Sequence, residues 1–574
     1  MKKLKKYFSG YIKESILGPL FKLLEASLEL IVPLVIAAII DKGILTGDKP
    51  YLVKMCLVLV LLGAVGLGFS VTAQYYAAKA SCGFSAKMRS ALFSHIETLS
   101  YNEIDSIGTS TLITRMTSDS NQVQTGINLT LRLLLRSPFV VFGAMIMAFT
   151  IDFKAALTFA AVIPLLSVVV FGIMLISMPL YKKAQSRLDA VLKKTRENLH
   201  GARVIRAFSK EDDEIASFKE KNESLTLIQK FVGKISALMN PTTYILINFA
   251  VIFLIYIGAL RVDSGELSQG QVVALYNYMG QILVELIKLA NLIISITKAL
   301  ASASRIEMVF DTESSMTYGT EELSSIGNGV ELNGVSLKYR TSSENSLSGI
   351  NLCAKRGETI GIIGGTGAGK TSLVNLIPRF YDATEGSVKI DGKDISAYTK
   401  SSLREKIAVV PQNAYLFSGT IRDNIKFGKN DATDEEILRA IDIAQGSEIV
   451  SAKNGLDAFI EQGGKNLSGG QRQRLTIARA VVTNPEILIL DDSASALDYV
   501  TDAKLRQAIK ENTKNALVFI VSQRASSVMH ADKILVLDDG ECVASGTHDE
   551  LLKTSELYRE IYETQFGTEV NGNE

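Results

Sequence analysis

Apolar and polar positions divide this chain into two unlike halves. The first half alternates long apolar runs with polar intervals. A helix that crosses a bilayer needs about 20 mostly apolar residues. Six runs approach or exceed that length, at roughly 16–40, 52–78, 133–151, 155–179, 241–260 and 271–297. Beyond residue 330 the pattern shifts to short apolar strands, such as 359–363 and 487–490, alternating with helical segments. That is the signature of an α/β domain. A polar stretch rich in Glu, Ser, Thr and Gly separates the halves. The expected organisation is a helical membrane domain over 1–310, a linker over 311–329 and an α/β domain over 330–574.

Connection lengths and charge orient the spans. The intervals 41–50, 151–154 and 261–270 are short and carry few basic residues. The interval 181–234 is long and basic, including Lys182, Lys183, Arg187, Lys193, Lys194, Arg196 and Arg203. Basic loops stay in the cytoplasm, so the long connections and the basic N-terminus (MKKLKKYF) belong there. That terminus reads as a retained surface helix rather than a cleaved signal. Residues 51–152 and 154–261 each suit a helical hairpin with arms of about 50 residues, or roughly 75 Å. The bilayer core takes about 30 Å of that. The arms should therefore project into the cytosol as levers, with tips near 103–108 or 208–212. The number and length of the spans, with this charge asymmetry, exclude a set of buried soluble helices.

Composition adds limits. Apolar residues make up 47% of 574, and the mean hydropathy is +0.21. The net charge of +1 gives no reason to expect a nucleic-acid partner. Cys56, Cys82, Cys353 and Cys542 are scattered, so neither a zinc site nor a disulfide framework is expected. Glu25, Glu29, Glu285 and Lys288 lie within apolar runs. Charges there are costly. They either form a polar patch for cationic substrates or are neutralised by neighbouring helices.

The α/β half carries the chemistry. Strand 359–363 runs into Gly364, Gly365, Thr366, Gly367, Ala368, Gly369, Lys370 and Thr371, then Ser372. This is GxxxxGK[ST] between a strand and a helix, a phosphate-binding loop. Backbone N–H groups and a helix N-terminus favour the anion. Lys370 supplies charge to the phosphates, Thr371 is a Mg²⁺ ligand, and Asp491, ending the apolar run 487–490, supplies a further Mg²⁺ contact.

Leu467–Gln471 reads LSGGQ, followed by Arg472-Gln473-Arg474 and then the Asp491 strand. Val410-Pro411-Gln412, LFSGTIRDNI at 416–425 and SALD at 495–498 accompany it. Together with the six spans, these motifs resemble an ABC transporter of the exporter class, a half-transporter with membrane and ATP-binding domains fused in one chain. The resemblance covers essentially the whole chain. It implies ATP and Mg²⁺ as cofactors, with cassettes that pair head to tail. Each ATP then lies between one chain's phosphate loop and the other's LSGGQ. Ser468, Gly469, Gly470 and Gln471 would clamp the nucleotide of the opposite cassette. Gln412 would sense the γ-phosphate, join the Mg²⁺ shell and touch the levers. Tyr339 resembles the aromatic residue that stacks on adenine, the alternative being simple packing.

Three positions depart from the family pattern. Asp492 stands where the water-polarising glutamate is usual, and Gln523 where the switch histidine is usual. Gln462 stands where glutamate often precedes the signature. A carboxylate withdrawn by about 1 Å costs on the order of 100-fold when positioning is the catalysis. Glutamine cannot become cationic as histidine can. With Asp492 and Gln523 altered and LSGGQ intact, the chain resembles the degenerate-site subunit of heterodimeric bacterial multidrug exporters. The partners implied are a second half-transporter, the lipid bilayer of a bacterial cell membrane and an amphipathic drug-like or lipid-like cargo. Alternatives are a slowly hydrolysing homodimer exporting lipid or peptide, and an ATP-gated channel or regulator.

Overall fold

The computed structural model describes residues 3–340, 342–452 and 455–567. The chain divides into two compact units. One comprises 1–97 and 110–311, the other 98–109 and 312–574.

The first unit is helical: α1 (Ile12–Ile39), α2 (Lys49–Thr98), α3 (Ser120–Leu133), α4 (Arg136–Ile151), α5 (Phe153–His200), α6 (Glu211–Ala237), α7 (Met239–Asp263) and α8 (Gln269–Asp311). Among the described residues, six helical stretches are long and apolar enough to cross a membrane. Helix α2 has 50 residues and α5 has 48, far more than a bilayer requires. Small residues line the core, among them Ala26, Ala144, Ala148, Ala155, Ala156 and Ala274. They let membrane helices approach closely.

Polar locks join the short connections. Asp152 caps α5 by accepting from the Ala155 N–H at 2.7 Å and pairs with Arg261 at 2.6 Å. Asp41 accepts from the Gly270 N–H at 2.8 Å. A Cβ on Gly270 would sit 2.3 Å from the Ala37 carbonyl, so only glycine permits this approach. The sequence run 133–151 proves to start with a break at 134–135. Pro138 explains it, because its ring conflicts with the carbonyl four residues back, that of Leu134.

Each of the intramembrane acids has a basic partner. Glu29 and Glu285 share Arg136 at 2.6 and 2.5 Å, Lys288 joins Glu285 at 2.8 Å, and Lys22 holds Glu25 at 2.6 Å. The neutralised alternative therefore holds.

The second unit contains β1 (Val330–Leu337), β2 (Leu347–Ala354), β3 (Thr359–Gly364), β4 (Glu385–Ile390), β5 (Lys393–Asp394), β6 (Ile407–Val410), β7 (Gly419–Thr420), β8 (Phe459–Ile460), β9 (Ile487–Asp491), β10 (Leu517–Val521), β11 (Lys533–Asp538) and β12 (Glu541–Gly546). An antiparallel sheet runs β2-β1-β4-β5, and a six-stranded sheet runs β12-β11-β3-β10-β9-β6. In the latter β11, β3, β10, β9 and β6 are parallel. Strand β9 is buried throughout, as parallel strands covered on both faces are. Its side chains alternate between two cores. Ile487 and Ile489 join one, Leu488 and Leu490 the other.

The segment 98–109 packs within this second unit. Its helix Tyr101–Ile107 accepts a 2.6 Å hydrogen bond from Tyr381 Oη at Asp105 and pairs Glu103 with Arg340 at 2.9 Å. The Tyr101 ring lies 4.9 Å from that of Phe380.

Candidate functional site

The alternation along β9 decides where its carboxylate emerges. Asp491 has the parity of Ile487 and Ile489, whose core also contains Leu373 and Val374 of helix α9 (Lys370–Leu376). Asp491 therefore meets the start of α9, where Thr371 Oγ1 donates to its Oδ1 at 3.0 Å. Two hard oxygens side by side in this way would suit Mg²⁺, with the hydroxyl offering a lone pair and keeping its proton.

The loop between β3 and α9 depends on glycine at its last step. Gly369 caps α9 with φ +89°, and a Cβ there would sit 2.6 Å from the Ser346 carbonyl. Lys370 Nζ donates to the carbonyls of Gly364 at 2.9 Å and Gly365 at 2.5 Å, so the ammonium sits within the loop. Burial lowers its pKa, against the pull of Asp492 and Asp491. A 390 Å³ cavity opens here. Residues 366–372, Gln412, Asp491, Asp492 and Gln523 line it, together with Ser342, Glu344 and Asp539. The last three carry no motif and escape sequence reading.

Asp492 is held on all sides. Its φ is +45°, a left-handed conformation that aspartate tolerates better than most residues. Its N–H donates to the Val521 carbonyl at 3.0 Å, and its own carbonyl accepts from Ser495 Oγ at 2.9 Å. Gln412 Nε2 lies 3.4 Å from its Oδ2. The backbone at Asp492 is thereby pinned on both sides.

Burial raises the pKa of both acids. For Asp491 the Asp492 charge adds to it, opposed by Thr371 and Lys370. For Asp492 the opposition comes from Gln412, Lys370 and Arg524. A raised carboxyl pKa means that ionisation is disfavoured in the fold. The destabilisation is absent below the ordinary value of 3.8 and fully present above the raised one. Asp491→Asn is therefore expected to raise the melting temperature of the Mg²⁺-free protein at neutral pH by about 2 °C. It should also abolish the further rise that Mg²⁺-ATP gives the parent. Differential scanning fluorimetry with and without Mg²⁺-ATP reads both.

Gln523 is anchored from far along the chain. Gln565, in helix α12 (Glu556–Phe566), donates to the Gln523 carbonyl at 2.8 Å and accepts from the Ala525 N–H at 2.7 Å. Arg524 donates to the carbonyls of Leu497 at 3.3 Å and Ser495 at 3.2 Å, tying the switch to SALD. Helix α11 (Tyr499–Asn512) starts there, capped by Asp498. The role of Gln565 has no local sequence signal.

Leu467–Gln471 lies elsewhere. Ser468 caps α10 (Gly469–Val481), and Gln471 returns the bond, with Ser468 N–H to Oε1 at 3.0 Å. Ser468 and Gly469 are exposed, Gly470 and Gln471 half-buried. None of the four lines the phosphate cavity among the described residues. Gly470 backs onto SALD, where a Cβ would sit 3.1 Å from the Ala496 carbonyl. Gln462 opens a short 3-10 turn just before. Tyr339 also lies outside the cavity lining. Its hydroxyl donates to Ser372 Oγ at 3.0 Å, and its ring meets Tyr381 edge-on at 5.0 Å. The structure thus brings together the loop, Gln412, Asp491, Asp492 and Gln523, and leaves the signature facing outward.

Comparison with known proteins bears on this arrangement. The family model for the ABC transporter transmembrane region matches residues 15–286, and that for the ABC transporter matches 347–495. The "Uncharacterized ABC transporter ATP-binding protein YfiB" of Bacillus subtilis is 37% identical over 95% of each chain. The "ATP-dependent lipid A-core flippase" of Desulfotalea psychrophila is 34% identical over 93% of this chain and 97% of its own. The "Probable multidrug resistance ABC transporter ATP-binding/permease protein YheI" of Bacillus subtilis is 35% identical over 83% and 82%. A solved bacterial Atm1-family ABC exporter with ATP bound superposes with a TM-score of 0.78 over 99% of both chains. At 23% identity that likeness is one of fold.

Proposed function

This chain belongs to the ABC transporter family, as a half-transporter that crosses the membrane several times and keeps its ATP-binding domain in the cytoplasm, and from that premise we propose that it is one subunit of a heterodimeric exporter. Its own phosphate loop mainly holds ATP. Its LSGGQ completes a hydrolytic site whose loop, glutamate and histidine come from a second half-transporter.

The observation that carries this reading is the pinned backbone of Asp492. Bonds to Val521 and Ser495 fix it, so the shorter side chain cannot be advanced toward the attacking water. Gln523 lines the same cavity and offers only a neutral amide. The binding parts are intact, with Lys370 within the loop and Thr371 against Asp491. An exposed Ser468–Gly469 edge suits a nucleotide held by another chain.

In this scheme Lys370 and the loop N–H groups bind the triphosphate, and Thr371, Asp491 and Gln412 would hold Mg²⁺, which would supply charge to screen the phosphates. Gln412 reaches the γ-phosphate side beside Asp492. Tyr339 stacks on the adenine of that nucleotide. Closure of the cassettes drives the long helices, and hydrolysis at the other site resets them. An amphipathic lipid-like or drug-like cargo is supported by the flippase and multidrug-resistance names that two relatives carry.

A second reading, a homodimer that hydrolyses slowly, is favoured by the survival of a carboxylate within reach of Gln412. The full-length chain purified without a second half separates the two. The expected ATPase rate is on the order of 100-fold below that with a co-expressed second half. A robust rate abolished by Asp492→Asn would instead establish the homodimer.

A further inference from the structure

Four charged side chains in the membrane unit form an alternating string. Glu29 Oε2 accepts from Arg136 Nη2 at 2.6 Å, and Arg136 Nη1 donates to Glu285 Oε1 at 2.5 Å. Lys288 Nζ donates to that same Oε1 at 2.8 Å. Ser137 Oγ donates to Glu285 Oε2 at 2.8 Å. The break before Pro138 puts Arg136 and Ser137 in the first turn of α4. That is where a helix N-terminus favours a carboxylate.

The interior of the string is buried and its ends are not. Side-chain exposure is 7% for Arg136 and 4% for Glu285, but 42% for Glu29 and 44% for Lys288. A purely structural brace has every reason to bury all four charges, since exposed ionic ends in hydrocarbon are expensive. Here one negative and one positive end are presented. Arg136 Nε is also buried without a hydrogen-bond partner among the described residues. A buried donor of this kind calls for an acceptor.

Depth and surroundings narrow the ligand. Glu29, Arg136 and Glu285 lie a similar distance along their helices from the outer ends at Ile44, Ile151 and Gln269. At 1.5 Å per residue that is roughly 23 Å, or about 7 Å inside the inner edge of a 30 Å hydrocarbon layer. Around this level the exposed positions of α8 are Gly280, Val284, Lys288 and Asn291, a mixed face with one cation. The exposed face of α2 instead carries Leu57, Val60, Leu61 and Leu67, which suits lipid tails. The mixed face of α8, with Lys288 and Asn291 beside Val284, suits the headgroup end of an amphiphile.

We propose that the string is a binding subsite for a zwitterionic amphiphile drawn from the inner leaflet. Its cation pairs with Glu29, and its anion pairs with Lys288. The string is electrically neutral, so a lone cation or a lone anion gains contact with one end but no net attraction. This deepens the exporter reading and rests on it for the nature of the cargo.

The test uses the nucleotide-free full-length chain in lipid nanodiscs, so it does not depend on turnover. Three fluorescent probes with equal tails are compared by anisotropy: a phosphatidylethanolamine, a phosphatidylglycerol and an alkyl trimethylammonium. The chain contains no tryptophan, so protein emission interferes little. The parent is expected to bind the zwitterion about tenfold more tightly than either singly charged probe. Lys288→Met, which leaves one net negative charge, should turn the preference to the cation. Glu29→Gln, which leaves one net positive charge, should turn it to the anion. Each change should be about tenfold. A parent without zwitterion preference overturns the proposal without any variant. So does an unchanged order in both variants when their melting temperatures match the parent. ATPase assays decide the heterodimer question separately, so failure of one leaves the other standing.

Discussion

Gly469→Asp is expected to cut ATP turnover by the assembled transporter by on the order of 100-fold or more, whereas Asp492→Asn in the same chain should change it by less than about twofold. Gly469 opens α10 and is exposed. Added Cβ volume there meets only the Ala496 Cβ at 3.7 Å, so the fold tolerates the change. The capping bonds between Ser468 and Gln471 do not involve its side chain. A carboxylate near a helix N-terminus even suits the helix. What it opposes is the γ-phosphate of an ATP held by the other half, through like charge in a dry interface. Asp492 serves only this chain's own loop, which in the proposed scheme does not limit turnover. Steady-state phosphate release by the purified complex, with both variants in parallel, checks the asymmetry.

The converse change restores what this chain lacks. Asp492→Glu combined with Gln523→His should raise the ATPase of the chain purified alone by on the order of 100-fold. In the complex the gain is at most about twofold, because a second working site joins one that already fires. The larger figure applies to the chain alone because its LSGGQ is intact, so two copies can complete each other. The pinned backbone at Asp492 places the added methylene toward the cavity. The Gln565 clamp on the switch uses main-chain atoms of Gln523 and Ala525 and is untouched by the exchange. If the chain alone gains activity but the intact complex shows no increase, the impairment lies in the signature of the second half.

Much of this architecture is legible in the sequence, where the signal is local. The six apolar runs, the long arms and the strand–loop–helix around Lys370 each depend on residues adjacent in the chain. The contents of the membrane unit were harder to read. Glu285 and Arg136 are 149 residues apart, and periodicity says nothing about which helices face each other. A cationic site was therefore as readable as the neutral string that is found. One lever tip is expected near 103–108, projecting into the cytosol, and the segment that holds it is 98–109. It packs within the second unit through Asp105 and Glu103, a pairing of residues remote in sequence. Gln565 was invisible for the same reason. Asp492 was conspicuous by its chemistry, but its restraint by Val521 and Ser495 belongs to the fold.

The asymmetry is tested most directly by identifying the nucleotide held at this chain's own loop during turnover. The complex is given Mg²⁺ and a radiolabelled azido-ATP, irradiated in steady state and separated into its halves, and the attached nucleotide is resolved by chromatography. The expected result is triphosphate on this chain and diphosphate on the other half. Predominant diphosphate on this chain would contradict the assignment of its site as one that holds ATP.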